Sequence, residues 1–296
     1  MEATILGTSS MVPTKDRNHA AVFVSYKEEG ILLDCGEGTQ RQLKTAGIPL
    51  SKVKIILITH WHGDHVLGLP GMVQSMGSSE YTGKLKIFGP KGTKKRWELL
   101  KKAYVFEDRF EIEINDVKKK VFFETKEFQL EALELDHTTP CLGYAIVEKD
   151  RRRIKMDEAK KLGIPEGPLI GKLSEGEKIK INGKTIKPDE VSFIEKGKKL
   201  AYVTDTGLCK NAVTISKNAD LLICESTYDD DLLEKAEKYK HLTARQAAQI
   251  ANQADVKKLC LTHFSQRYKQ IDEISEHAKM VFHNTICADD FTKVRL

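Results

Sequence analysis

The sequence predicts an α/β domain whose strand ends share one site. Three observations predict it. A short apolar run closing on Asp, His, Glu or Gly recurs seven times along the chain. Helix-like segments stand between those runs. The length of 296 residues, 40% hydrophobic and 31% charged, suits a soluble globular chain of one large α/β domain or two small ones. Open α/β sheets place their sites beyond the carboxyl ends of strands, so residues far apart in sequence can converge there.

The first run, ATILGTSS, ends near Gly7, and ILLDCGEG ends on Asp34. Thr39 to Ala46 follows as a helix, with Gly47 and Pro49 as its stop. Val53 to Ile58, VKIILI, is apolar, β-branched and short, which suits a buried strand. Lys94 to Tyr104 reads as a basic helix with its lysines on a solvated face. LEALELDH alternates apolar and polar residues and ends on His137. LAYVTDTG brings Asp205, LLICEST brings Glu225, and KKLCLTHFS brings His263. Thr243-Ala-Arg-Gln matches a capping box with Gln246 at the third helical position, opening a helix that runs to about Gln253. His241 then stands just before a helix start.

One segment breaks this pattern. Between Glu148 and Lys199 lie Pro165, Pro168 and glycines 163, 167, 171, 176 and 183. Such a stretch, about residues 149–198, reads as an inserted arm instead of core strands. It holds 14 Lys/Arg against 9 Asp/Glu, a surplus equal to the net charge of the whole chain, +5. That placement suits a polyanionic partner; the bland alternative is a solvated, lysine-rich surface.

The centre of the chain's chemistry is THWHGDH, Thr59 to His65. Imidazole and carboxylate are ligands that borderline divalent ions such as zinc accept. Residues two apart on extended chain point the same way, so His60 and His62 can hold one ion. Asp64 and His65, displaced by a turn at Gly63, suit a second. Six cysteines without any C-x-x-C pair, at 35, 141, 209, 224, 260 and 287, predict no disulfide framework. Cys224 and Cys260 lie in strand-like runs and read as small buried hydrophobes. No apolar run approaches ~18 residues, so no membrane span is expected. No secretory leader is evident, and the cytoplasm is the expected compartment.

With these residues in view, the chain resembles the metallo-β-lactamase superfamily, whose signature is H-x-H-x-D-H after a strand with downstream His, Asp and His. Within it the resemblance is to the ribonuclease Z family, endonucleases that trim the 3′ ends of tRNA precursors. The loop holding Pro13, Lys15, Arg17 and Asn18 resembles the family's P-x-K-x-R-N, and LLDCGEGTQRQL carries Asp34 in its first motif. CEST at Cys224 to Thr227 resembles its H-E-A-T, with Cys leading. HLT at His241 to Thr243 resembles its H-S-T, with Leu for Ser. GPLIGKLSEGE in the insert is similar to the flexible arm of its long-arm members.

The resemblance implies a four-layered αββα sandwich, one domain over 1–296, holding two zinc ions per subunit. Mapped residue by residue, His60, His62 and His137 would hold one ion; Asp64, His65 and His263 the other; Asp205 would bridge; Asp34 would orient ligands. Asp64 would also accept a proton from the attacking water. His241 is the candidate general acid for the leaving oxygen, with Glu225 holding its imidazole. The arm, with Arg151, Arg152 and Arg153, would bind the tRNA precursor, and Lys15, Arg17 and Asn18 would meet nucleotides beside the cut. Homodimerisation, with one subunit's arm serving the other's site, is implied as well. Two other readings stand beside this one. One is a hydrolase of small esters or phosphodiesters on the same fold, the other a noncatalytic metal- or RNA-binding module.

Overall fold

The structure is a computed structural model that describes residues 1–105, 107, 109–181 and 183–296. Each apolar run named above is a strand, and the strands form two seven-stranded sheets. Across the first the order is Lys293–Arg295, Glu2–Gly7, Ala21–Tyr26, Glu29–Leu33, Val53–Leu57, Lys84–Gly89, Glu111–Asp116. Across the second it is Thr285–Cys287, Leu259–Thr262, Leu221–Glu225, Lys199–Val203, Cys141–Glu148, Phe128–Leu135, Val121–Glu124.

Side chains of a strand alternate between faces, and here most strands are buried on both. In Glu29–Leu33, Ile31 and Leu33 enter the core between the sheets while Leu32 meets the outer helices. In Lys199–Val203, Leu200 and Tyr202 face inward, and Ala201 and Val203 face outward. This double burial is why the runs read as continuously apolar. Helices Thr39–Thr45, Leu69–Ser78 and Thr93–Ala103 cover the first sheet through Leu43, Met72, Met76 and Trp97. Helices Lys210–Ser216, Ala244–Gln253 and Asp272–Val281 cover the second through Ile215, Ala248, Ile250, Ile274 and Ala278. The result is an αββα sandwich with three hydrophobic cores. The capping box at Thr243 is present: its hydroxyl accepts from the Gln246 N–H, and the Gln246 side chain accepts from the Thr243 N–H.

The insert is more ordered than its glycines and prolines suggest. Arg151–Ile154 pairs antiparallel with Ser192–Glu195 as a two-stranded stem. The stem carries a head of two short helices, Met156–Lys161 and Pro168–Ser174, and a hairpin of Ile179–Ile181 with Lys184–Ile186. Ala159, Ile164, Leu173, Ile179, Ile186 and Val191 form a separate small core inside the head. The arm leaves from Glu148 and returns at Lys199, whereas His137 and Asp205 adjoin the opposite ends of the same two strands. Eight residues of Cys141–Glu148 separate the arm's base from the ligand-bearing rim, about 26 Å at 3.3 Å per residue.

Candidate metal centre

Every ligand-type residue named from the sequence lies at one rim of the sandwich, where strands end. Asp34 follows Glu29–Leu33, His60 and His62 follow Val53–Leu57, and His137 follows Phe128–Leu135. Asp205 follows Lys199–Val203, and His263 follows Leu259–Thr262. Asp64 and His65 are not on a turn alone but inside a one-turn helix, Gly63–Val66. Asp34, Asp205 and His263 adopt left-handed backbone, with φ of 58°, 54° and 60°. Asp and His tolerate that region better than branched residues. At a strand end it reverses the chain, and functional sites are where such strained positions cluster. Gly36 is needed for the approach of this rim: a Cβ there would lie 2.3 Å from the Asp64 carbonyl oxygen.

The donor atoms converge in two groups. His60 Nε2 lies 3.0 Å from His62 Nδ1, which lies 3.2 Å from His137 Nε2. Asp205 Oδ2 closes this face at 3.5 Å from His60 Nε2 and 3.8 Å from His137 Nε2. In the second group, His65 Nε2 stands 3.2 Å from His263 Nε2 and 3.4 Å from Asp64 Oδ2. Asp205 Oδ1 lies 3.2 Å from His263 Nε2 and 3.5 Å from His65 Nε2. A tetrahedral zinc with bonds of about 2.0–2.1 Å holds its donors roughly 3.3–3.4 Å apart. The two faces fit that spacing, and the two oxygens of Asp205 face one group each.

Hydrogen bonds select which ring nitrogen is free to ligate. His65 Nδ1 donates to Asp34 Oδ2 at 2.8 Å. His60 Nδ1 donates to Thr59 Oγ1 at 3.0 Å, and that hydroxyl donates on to Asp34. His263 Nδ1 donates to Thr227 Oγ1 at 3.0 Å, and Thr227 donates to Glu225 Oε2 at 2.6 Å. His137 Nδ1 donates to the Lys240 carbonyl at 3.2 Å. Four imidazoles thus engage a neighbour through Nδ1 and turn Nε2 toward the site, where it is the nitrogen available to an ion. Thr59, Thr227 and Tyr202, whose hydroxyl donates to Asp34 at 3.1 Å, were not anticipated in these roles. Thr59 and Thr227 each adjoin a named motif residue, which is a usable signal; Tyr202 carries none.

The electrostatics also fit a cation. Burial, then the neighbouring His65, pulls the His60 imidazolium well below its usual range, and burial does the same to His137. Burial opposes charge on His65 too, but Asp205, Asp34 and Asp64 outweigh it and hold a proton there in the absence of an ion. Asp64 Oδ1 is buried without a hydrogen-bond partner, while its Oδ2 accepts from the Met11 N–H at 2.8 Å. An orphaned carboxylate oxygen beside a cluster of ring nitrogens fits a metal ion or its water as the missing partner.

Beside the two faces, His241 lines the same cleft of about 450 Å³. Its Nδ1 lies 3.0 Å from Glu225 Oε2, and Glu225 also accepts the Thr206 N–H at 2.8 Å. Burial lowers the pKa of His241, but the charge and hydrogen bond of Glu225 prevail and raise it to about 9. The expected RNA contacts are placed less simply. Lys15 is exposed. Arg17 is only 8% exposed; it donates to the Tyr268 carbonyl at 2.8 Å and lies over the Phe264 ring. The Asn18 side chain donates to the Glu37 carbonyl at 2.8 Å. Arg151 pairs with Glu148 and Tyr26, Arg152 with Asp189, and Arg153 with Glu195. Arg17 thus fastens its loop to Tyr268 and Phe264, and the arm arginines pair with acids in and beside the stem.

An αββα sandwich with two His/Asp faces at one rim defines a metallo-β-lactamase-fold protein with His/Asp clusters compatible with metal binding. Residues 1–158 match the family model of Anti-Pycsar protein Apyc1, and 186–264 that of a β-lactamase superfamily domain. Over full length the chain is 41% identical to ribonuclease Z of Methanothermobacter thermautotrophicus (100% of this chain, 97% of the relative), and 39% identical to that of Archaeoglobus fulgidus (99% and 97%). The crystal structure of human tRNase Z, short form, superposes with a TM-score of 0.71 at 25% identity, covering 100% of this chain and 99% of that one. The chain belongs to the ribonuclease Z family.

Proposed function

We propose that the chain is a zinc-dependent endoribonuclease that removes the 3′ trailer from tRNA precursors, leaving a 3′-hydroxyl on the tRNA and a 5′-phosphate on the trailer. The observation that carries it is the pair of His/Asp faces joined by Asp205, with the His241–Glu225 pair beside them, in a chain matched end to end by ribonuclease Z relatives. His60, His62 and His137 would hold one ion; Asp64, His65 and His263 the other; Asp205 both. When bound, two such ions lower the pKa of water toward about 7 and offset charge on the phosphate oxygens. Asp64 accepts the proton from the attacking water through its free Oδ1. His241, kept cationic by Glu225, gives a proton to the leaving 3′-oxygen as the P–O bond breaks.

The RNA-binding reading changes in detail. The stem arginines are ion-paired, whereas Lys161, Lys172, Lys178, Lys180 and Lys184 of the head are exposed and make no ion pair among the described residues. These head lysines are the better phosphate contacts for the tRNA body, since sequence-independent affinity comes from Lys/Arg meeting phosphates. Because the arm starts at the rim opposite the metal faces, a homodimer in which each arm serves the partner's site is the assembly we propose, working in the cytoplasm. Cleavage of a tRNA precursor with and without chelator, with both product ends mapped, is the test. His65→Ala and Asp205→Ala are expected to abolish turnover and to leave RNA affinity within a few-fold. Wild-type cleavage by either variant would sink the two-metal reading.

A further inference from the structure

The metal cleft is not isolated. His137 and Thr138 are shared with an adjoining cleft of about 390 Å³ that also borders Pro90, Lys91, Val117 and Glu134. Lys91, Val117 and Glu134 in turn border a third cleft of about 530 Å³. Val117, Lys118 and Lys119 lead from that one into a fourth, of about 580 Å³, walled by Phe122 and Phe123. Strands Lys84–Gly89 and Glu111–Asp116 run parallel to Val53–Leu57, so Pro90 and Val117 follow strand ends on the same rim as His60. The four clefts form one groove along that rim, from the metal faces to the edge of the sandwich. Two strand spacings, about 10 Å, separate Val53–Leu57 from Glu111–Asp116.

The groove is lined by Glu113, Asp116 and Glu134 as well as by lysines, and three of the lysines are free of ion pairs among the described residues. Lys91, Lys118 and Lys119 are exposed and make no ion pair among the described residues. The nearby Asp116 carboxylate is occupied by the N–H groups of Gly92 and Lys94, both at 3.0 Å. Lys120 is the exception, 3.4 Å from Glu131. The half-buried rings of Phe122 and Phe123 close the far end. Unpaired cations along a channel with an apolar end suit unpaired nucleic acid: phosphates meet the lysines and a base lies against the ring edges of Phe122 and Phe123, where Lys86 already sits 4.7 Å over Phe123.

We propose that this groove binds the single-stranded 3′ trailer on its way out of the metal centre, with Lys91, Lys118 and Lys119 on its phosphates. The proposal rests on the ribonuclease reading above. It favours the trailer over the tRNA side because the mature end soon becomes duplex, which a groove between strand-end loops does not admit, while the trailer stays unpaired.

The experiment compares two precursors that share one tRNA body, one with a single-nucleotide trailer and one with a longer unpaired trailer. In the wild type, kcat/KM is expected to be higher for the longer trailer. In Lys118→Glu/Lys119→Glu that preference is expected to fall about tenfold, and Lys118→Ala/Lys119→Ala to give a smaller fall in the same direction. The salt slope for the longer substrate should drop by about 1 to 1.5, since each phosphate contact on a single strand contributes about 0.7. A photoreactive uridine near the start of the trailer should crosslink to the Lys118–Phe123 segment. An unchanged preference in both variants, or crosslinks confined to the arm, would overturn the groove while leaving the ribonuclease reading intact. A wild-type protein that cuts neither precursor would overturn that reading and the groove with it.

Discussion

Asp34 stands behind both His/Asp faces: one oxygen holds His65 directly, and the same carboxylate receives the Thr59 hydroxyl that holds His60. Thr227 reaches only one, through His263. Outer partners of ligating histidines typically account for about 10- to 100-fold in metal affinity. Asp34→Asn should therefore weaken both ions by roughly that factor, whereas Thr227→Val should weaken one and spare the other. A zinc titration that resolves two binding steps checks this; equal loss of both steps in Thr227→Val would contradict the hydrogen-bond assignment. A histidine away from this site behaves as a structural group. His277 Nδ1 lies 2.7 Å from Asp229, and that hydrogen bond raises its pKa. A raised histidine pKa gives stability that is complete below the unfolded value of about 6.5 and is lost as pH rises through the folded one. His277→Ala should thus be less stable than wild type in mild acid and match it at alkaline pH, as followed by urea midpoints.

At the scale of elements, the sequence signals were strongest where local chemistry dictates local structure. Gly47 and Pro49 mark the stop of Thr39–Thr45, and the Thr243/Gln246 box opens Ala244–Gln253 as its spacing predicts. Thr243→Ala should cost about 1 kcal/mol, seen as a lower urea midpoint with an unchanged slope. The insert was legible as an interruption but not as a folded head. Its six core residues are spread over 33 positions among turns, with no helical or alternating period to betray them. Arg151, Arg152 and Arg153 read as phosphate contacts because sequence shows charge and not partners; in the structure their partners come from 3 to 125 residues away. Neutralising Lys172, Lys178, Lys180 and Lys184 should lower tRNA affinity and its salt dependence, whereas Arg153→Ala should alter mainly stem stability. Filter binding across a salt series separates the two.

At the scale of the whole molecule, the arm and the His/Asp faces stand at opposite rims, the separation that the proposed dimer would bridge. Replacing the head, residues 156–190, by a short turn should weaken tRNA binding and flatten its salt dependence while sparing hydrolysis of a small phosphodiester; undiminished tRNA affinity would remove the arm from the account. By itself the sequence determined the seven strand runs that end on polar residues, their order along the chain and the candidate ligand cluster from His60 to His65, because apolar runs and ligand chemistry are local properties of residues. Only the tertiary structure decided which nitrogen of each histidine is free, which arginines are spent, and that the rim continues into a lysine-lined groove. Those depend on partners brought from distant strands, and a linear pattern carries no distances.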